Sequence, residues 1–379
     1  MRTALCHWTK KTGWEIPSDS VKTPQLVLYF GGRSTFTDEP NALQELLARF
    51  PQAAVCGCST AGEILGSRVY DDSVVAVLVE FKTTKVRAVA ESTPDTAGST
   101  AAGQRAAARL KAPDLRHVLL LSDGLIINGT SLLSGMREKL APGVAITGGM
   151  AGDAARFQKT LVGLGSDVRE GQIVAIGFYG DDVVFGYGSR GGWEGFGPRR
   201  LITRSEGNVL FELDGQPALE LYKRYLGERA AGLPATGLLF PLQLTEKPGD
   251  TEGVVRTILA VDEARQSLTF AGDLPQEQYA QLMKATDEQI VGGAATAGID
   301  ALGKSGRDCS LAIMVSCVGR RLVLRQRTEE ELDSVIHALP EKTAAIGFYS
   351  YGEVCPSNGG GYSELHNQTM TITVISERS

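Results

Sequence analysis

The strongest constraint on how this chain can fold is one order of segments that it repeats three times over its 379 residues. Each pass runs from an apolar stretch through residues at helical spacing to a second apolar stretch, a Gly-acid step and a β-branched run. In the first pass Leu26-Val27-Leu28-Tyr29-Phe30 ends at Gly31-Gly32. Leu43, Leu46, Leu47 and Phe50 then follow at helical spacing, 53–56 reads as a strand, and Ala61-Gly62-Glu63 leads to the strand 74–81. The second pass has 118–121, then Leu132, Leu133, Met136 and Leu140, then 144–146, Ala151-Gly152-Asp153 and 173–176. The third has 311–315, then Leu332, Val335, Ile336 and Leu339, then 344–346, Tyr351-Gly352-Glu353 and 369–375. The Gly-acid step is displaced by 90 positions from 61 to 151, and by 290 from 61 to 351. Units of this kind form pockets at their strand ends. The expectation is an α/β protein of two related halves, with mixed sheets built from repeated strand-helix-strand units. Different material separates passes two and three: the Gly- and aromatic-rich 191–197, a helix around 216–226, and strands at 253–261 and 267–271. The join falls near 200–213, which gives regions 1–205 and 206–379.

Against 38 Lys and Arg stand 44 Asp and Glu, a net charge of −6 with no basic block, so nucleic acid is not an expected partner. No apolar segment follows Arg2, Lys10 and Lys11, and no apolar run approaches the roughly 20 residues that span a bilayer. The chain reads as cytoplasmic, without membrane insertion. Six cysteines are too few for a disulfide scaffold, and Cys56-Gly57-Cys58 lacks the spacing of zinc or redox motifs, so reduced thiols are expected. Glycine, 45 residues or about 12% against a usual ~7%, belongs at turns and strand ends.

Gly298-Ile299-Asp300-Ala301-Leu302-Gly303-Lys304-Ser305 matches the phosphate-loop pattern, but a helical stretch precedes it and a strand follows, the reverse of what phosphate binding needs. Gly303 is read instead as a helix C-terminal glycine with Lys304 beside it. Gly57-Cys58-Ser59-Thr60-Ala61 has Ala where a nucleophile elbow needs Gly. Cys58 reads as a buried thiol, and Glu63, Asp153 and Glu353 are candidates for a carboxylate cluster. Of the four histidines, His117 is expected at the surface and His337 on a helix face. His7 and His366 are the pocket candidates, with Asn367 and Gln368 beside His366.

The stretches Gly57-Cys58-Ser59-Thr60-Ala61-Gly62-Glu63, Tyr351-Gly352-Glu353 and Leu365-His366-Asn367-Gln368-Thr369 resemble the FIST sensory family. So do 213–222 and Ser316-Cys317-Val318-Gly319-Arg320. The chain departs from that pattern at Gln276-Glu277, where the family usually has a Gly. The resemblance implies an N-terminal FIST N-like domain, a C-terminal FIST C-like domain, and intracellular sensing of a small ligand, acting in trans on a signalling partner such as the histidine kinase of a two-component system. A subgroup is described as haem proteins that sense nitric oxide. For a member of it, His366 is the implied axial ligand to the metal of haem b and His7 the runner-up, with Arg320 and Arg321 placed to meet the propionates. Cys58, Ser59, Glu63, Tyr351, Glu353, Asn367 and Gln368 are then the ligand-binding candidates. The alternative is a haem-free amino-acid or metabolite sensor in which Glu63 and Glu353 meet an ammonium group. An enzyme using Cys58 or clustered carboxylates ranks third, and no enzyme is expected.

Overall fold

The computed structural model describes residues 1–17, 21–38, 41–251, 253–306, 309–357 and 362–378. The repeated order becomes three repeated units. In the first, strand Leu26–Gly31 passes through helix Asn41–Arg49 to the parallel strand Ala54–Ser59, and Val74–Glu80 returns antiparallel to Leu26–Gly31. In the second, Leu115–Ser122, helix Gly129–Arg137 and the parallel strand Ala145–Met150 are followed by the returning Gln172–Tyr179. In the third, Leu311–Cys317, helix Thr328–Ala338 and Ala344–Ser350 are followed by Met370–Glu377. A further strand extends each sheet beyond its returning strand: Arg2–Thr9, itself flanked by Gly13–Glu15, and Lys85–Ser92 and Val183–Arg190 at the edges of theirs.

The Gly-acid step of each unit opens a hairpin that leaves its own sheet. Glu63–Leu65 pairs with Ala344–Ser350 of the third unit, Val162–Leu164 with Ala54–Ser59 of the first, and Gly352–Pro356 with Ala145–Met150 of the second. The exchange is cyclic, so the edge of every second strand is covered by a neighbour's hairpin and none is left as a bare pairing edge. Gly62, Gly152 and Gly352 all lie at these strand-end crossings, as the repeat requires.

A single core draws on all three sheets. It includes Leu28, Phe30 and Cys58 of the first unit, Leu119, Leu121 and Phe178 of the second, and Ile313, Val315 and Phe348 of the third. Rings Phe30 and Phe348 sit 4.7 Å apart across it. Helices cover the outer faces, so the central strands are buried on both sides and read as continuous apolar runs. Each large side chain buried there contributes about 1.5–3 kcal/mol.

Between the second and third units lies an inserted eight-stranded sheet whose strands run from Glu194–Glu206 to Tyr279–Lys284. It has its own core around Leu210, Tyr222 and Phe270. Position 205, the end of the first region read from the sequence, falls inside the strand Glu194–Glu206, and the third unit's edge strand Val183–Arg190 comes from before it. Glu277, in the Gln276-Glu277 pair that departs from the family pattern, adopts φ +68, a left-handed turn made without glycine.

Two local expectations need correction. His117 is buried at 1% exposure, its ring stacked 4.0 Å from Phe185 and its Nε2 2.8 Å from Thr147 Oγ1. Burial pushes its pKa down to about 3, so a neutral core histidine replaces the expected surface one. Gly303 lies within the helix Asp287–Ser305, and Gly306, at φ +75, takes the left-handed cap position instead. The phosphate-loop match is thus helix throughout, with Lys304 4.2 Å from the Tyr187 ring. Among the described residues no helix is long and apolar enough to cross a membrane.

Candidate functional site

Two of the Gly-acid steps build the same carboxyl cradle. Glu63 accepts from Thr60 Oγ1 at 2.5 Å and from the amide and hydroxyl of Ser73 at 3.1 and 3.0 Å. Glu353 accepts from Ser350 Oγ at 2.6 Å and from the amide and hydroxyl of Thr369 at 3.2 and 3.0 Å. In each cradle a hydroxyl three residues upstream holds one oxygen, and the residue just before the returning strand holds the other. Burial pushes both carboxyls up to about 8, against the lowering effect of these hydrogen bonds. Asp153 breaks the pattern. It takes the amides of Phe157, Gln158 and Lys159, the Tyr351 hydroxyl, and an ion pair with Arg33 at 3.3 Å. The three acids therefore occupy separate cradles and share no hydrogen bond.

Glu63 lines a cavity of about 470 Å³ whose walls come from all three units. The first supplies Thr60, Gly62, Asp71 and Asp72, the second Arg156, and the third Arg321, Leu322 and Arg325. Arg321 bridges units by donating to the Ala61 carbonyl at 2.7 Å and pairing with Asp71 at 2.7 Å. Arg156 and Arg325 are exposed and form no ion pair with a described residue. The cavity therefore offers two guanidiniums without an ion pair among the described residues, together with the Asp72 carboxylate and the Glu63 carboxyl.

A second cavity, about 480 Å³, separates the inserted sheet from the third unit and is lined by Trp193, Thr245, Glu246, Asp250, Glu364 and His366 among others. His366 Nε2 lies 3.0 Å from the Cys355 carbonyl. Because a carbonyl only accepts, Nε2 carries the proton, and burial holds the ring below its ordinary pKa, leaving Nδ1 as an acceptor. A smaller cavity of about 200 Å³ is lined by Tyr351, whose ring stacks 4.4 Å from Phe157.

The remaining predicted residues do not join these cavities. Cys58 is buried in its strand, where burial pushes the thiol far above its ordinary range and disfavours the thiolate, and all six cysteines are buried with none in a disulfide. Ser59 is used up in holding the Leu161 amide at 2.8 Å. Glu353 is enclosed by its cradle, and only Thr369 of that cradle reaches the interface cavity. Asn367 and Gln368 are fully buried, with Gln368 Nε2 donating to the Leu238 carbonyl at 3.1 Å. His7, on the strand Arg2–Thr9, packs 4.4 Å from Tyr70.

The residues assigned to haem do not assemble a haem site. Arg320 is fully buried and spends its five N–H donors on Glu331 and on the carbonyls of Gly191, Gln368 and Ile290, so none remains for a propionate. Arg321 belongs to the other cavity from His366. The walls beside His366 carry Glu246, Asp250 and Glu364, which oppose propionate charge.

Sequence reasoning missed the cradle hydroxyls, although Thr60-Ala61-Gly62-Glu63 and Ser350-Tyr351-Gly352-Glu353 share a hydroxyl-x-Gly-Glu spacing that would have found two of them. Arg156, Arg325 and Thr245 carry no local signal, because only the crossing of units brings them to a cavity. The FIST N domain model matches residues 25–216 and the FIST C domain model matches residues 218–356. No curated protein matches the chain. Among solved structures, one described as "cyanuic acid hydrolase from A. caulinodans" is 10% identical with a TM-score of 0.32, covering 94% of this chain and 91% of that chain.

Proposed function

Since the chain belongs to the FIST family, whose domains are sensory small-ligand-binding domains of signalling proteins, we propose that it senses a small zwitterion of the amino-acid class, without haem. The observation that carries this reading is the charge layout of the cavity at Glu63. Arg156 and Arg325 suit a carboxylate, Asp72 and Glu63 suit an ammonium group, and Leu322 and Val318 offer an apolar wall for a side chain. An ammonium beside Glu63 favours its ionised form, so binding near neutral pH releases a proton from a carboxyl that burial holds up to about 8. A ligand held by three units at once biases their arrangement, which a separate signalling protein then reads in trans.

The test is a thermal-shift panel of the standard amino acids on the wild type and Arg156→Ala. At least one amino acid is expected to raise the melting temperature of the wild type, with the shift largely lost in Arg156→Ala. Protein produced with haem supplied is expected to show no Soret band. A stoichiometric band, or a panel without any shift, would overturn the proposal.

A further inference from the structure

We propose that the cavity between the inserted sheet and the third unit is a second binding site, for a ligand that carries a primary ammonium group. The charged groups among its described lining residues are mostly carboxylates. Glu246, Asp250 and Glu364 line it, and the guanidinium among its described lining residues, Arg190, is paired with Asp300 at 2.7 Å. His366 presents Nδ1 as an acceptor, since Nε2 donates to the Cys355 carbonyl.

Independent of that charge, Thr245 is 4% exposed and lines the cavity, yet its hydroxyl has no hydrogen-bond partner among the described residues. A buried hydroxyl without a partner is costly, and a ligand donor would satisfy it. An ammonium group brings three donors and a positive charge to this set. Leu244, Val254, Val255 and Met283 provide apolar wall for the carbon chain that bears it. The balanced charges of the Glu63 cavity suit a zwitterion, whereas this cavity suits a cation. The ammonium can come from a free amine or from a lysine side chain of a polypeptide.

The experiment is calorimetric titration of the full chain with n-butylamine at neutral pH, with n-butanol as the uncharged probe. Butylamine is expected to bind saturably and butanol not to bind. Glu364→Gln, which keeps an oxygen for the Ser357 hydroxyl, should weaken butylamine about tenfold or more, the loss of one charge-assisted hydrogen bond. Thr245→Val should also weaken it while leaving the unfolding midpoint unchanged or higher, because it removes an unpartnered hydroxyl. That combination is not expected of a purely structural residue. Absence of saturable butylamine binding, equal binding of butanol, or full affinity in both variants would overturn the proposal. Acetyl-lysine amide separates the sources: binding like that of butylamine supports a lysine side chain as occupant, and its failure beside butylamine binding supports a free amine.

Discussion

Arg320→Met is expected to destabilise the protein by about 3–5 kcal/mol, the usual consequence of removing one partner of a buried ion pair. Arg320 and Glu331 are both fully buried and lie 2.8 Å apart. Glu331 also receives the hydroxyls of Ser316 at 3.1 Å and Tyr349 at 2.6 Å. Arg320 further ties the third unit to Gly191 and to Ile290 of the helix Asp287–Ser305. Its removal leaves a buried carboxyl and several carbonyls unmet at once. The double variant Arg320→Met with Glu331→Leu should recover part of the loss, since no charge is then left alone. Urea unfolding at neutral pH measures both. A loss below about 1 kcal/mol in the single variant would mean that the pair does not hold the fold.

The second large effect is on pH dependence, and its sign is opposite to that of most carboxylates. Burial pushes the Glu63 and Glu353 carboxyls up to about 8 against an ordinary 4.5, so between those values these two groups hold more protons in the folded than in the unfolded chain. Their contribution to stability therefore falls as pH rises through that window and is gone above it, while buried neutral His117, its pKa pushed down to about 3, contributes in the opposite sense up to its ordinary 6.5. Gln imitates the protonated carboxyl: its amide nitrogen can donate to Ser350 Oγ while its oxygen accepts from the Thr369 amide. Glu353→Gln is expected to match the wild type near pH 5 and to exceed it by on the order of 3 kcal/mol near pH 9. Denaturant midpoints across that range decide it. A variant less stable than the wild type near pH 9 would show that the cradle favours the ionised form.

The repeat was legible because each strand is buried on both faces and each crossing needs a glycine followed by an acid, so both signals survive in the sequence. What sequence could not supply was the partner of each crossing. Glu63–Leu65 pairs with a strand some 280 residues later, from Leu65 to Ile346, and nothing local encodes that. The same gap explains the site. Glu63 was visible from its step, but Arg156 and Arg325 meet it only through the exchange of hairpins. Arg320 was misread because a buried arginine and a ligand-binding arginine look alike in sequence. They differ only in whether their donors are already spent. His117 was placed at the surface because Leu115-Arg116 precede it, whereas the arrival of Phe185 on the third unit's edge strand buries it.

The most direct test of the central claim, that the cavity at Glu63 is the sensory site, is calorimetric titration of the amino acid giving the largest thermal shift into wild type, Glu63→Gln and Arg156→Ala. The predicted result is saturable binding by the wild type, with proton release that is absent in Glu63→Gln, and affinity about tenfold weaker in each variant. Binding retained at full affinity, with unchanged proton release, in both variants would contradict it.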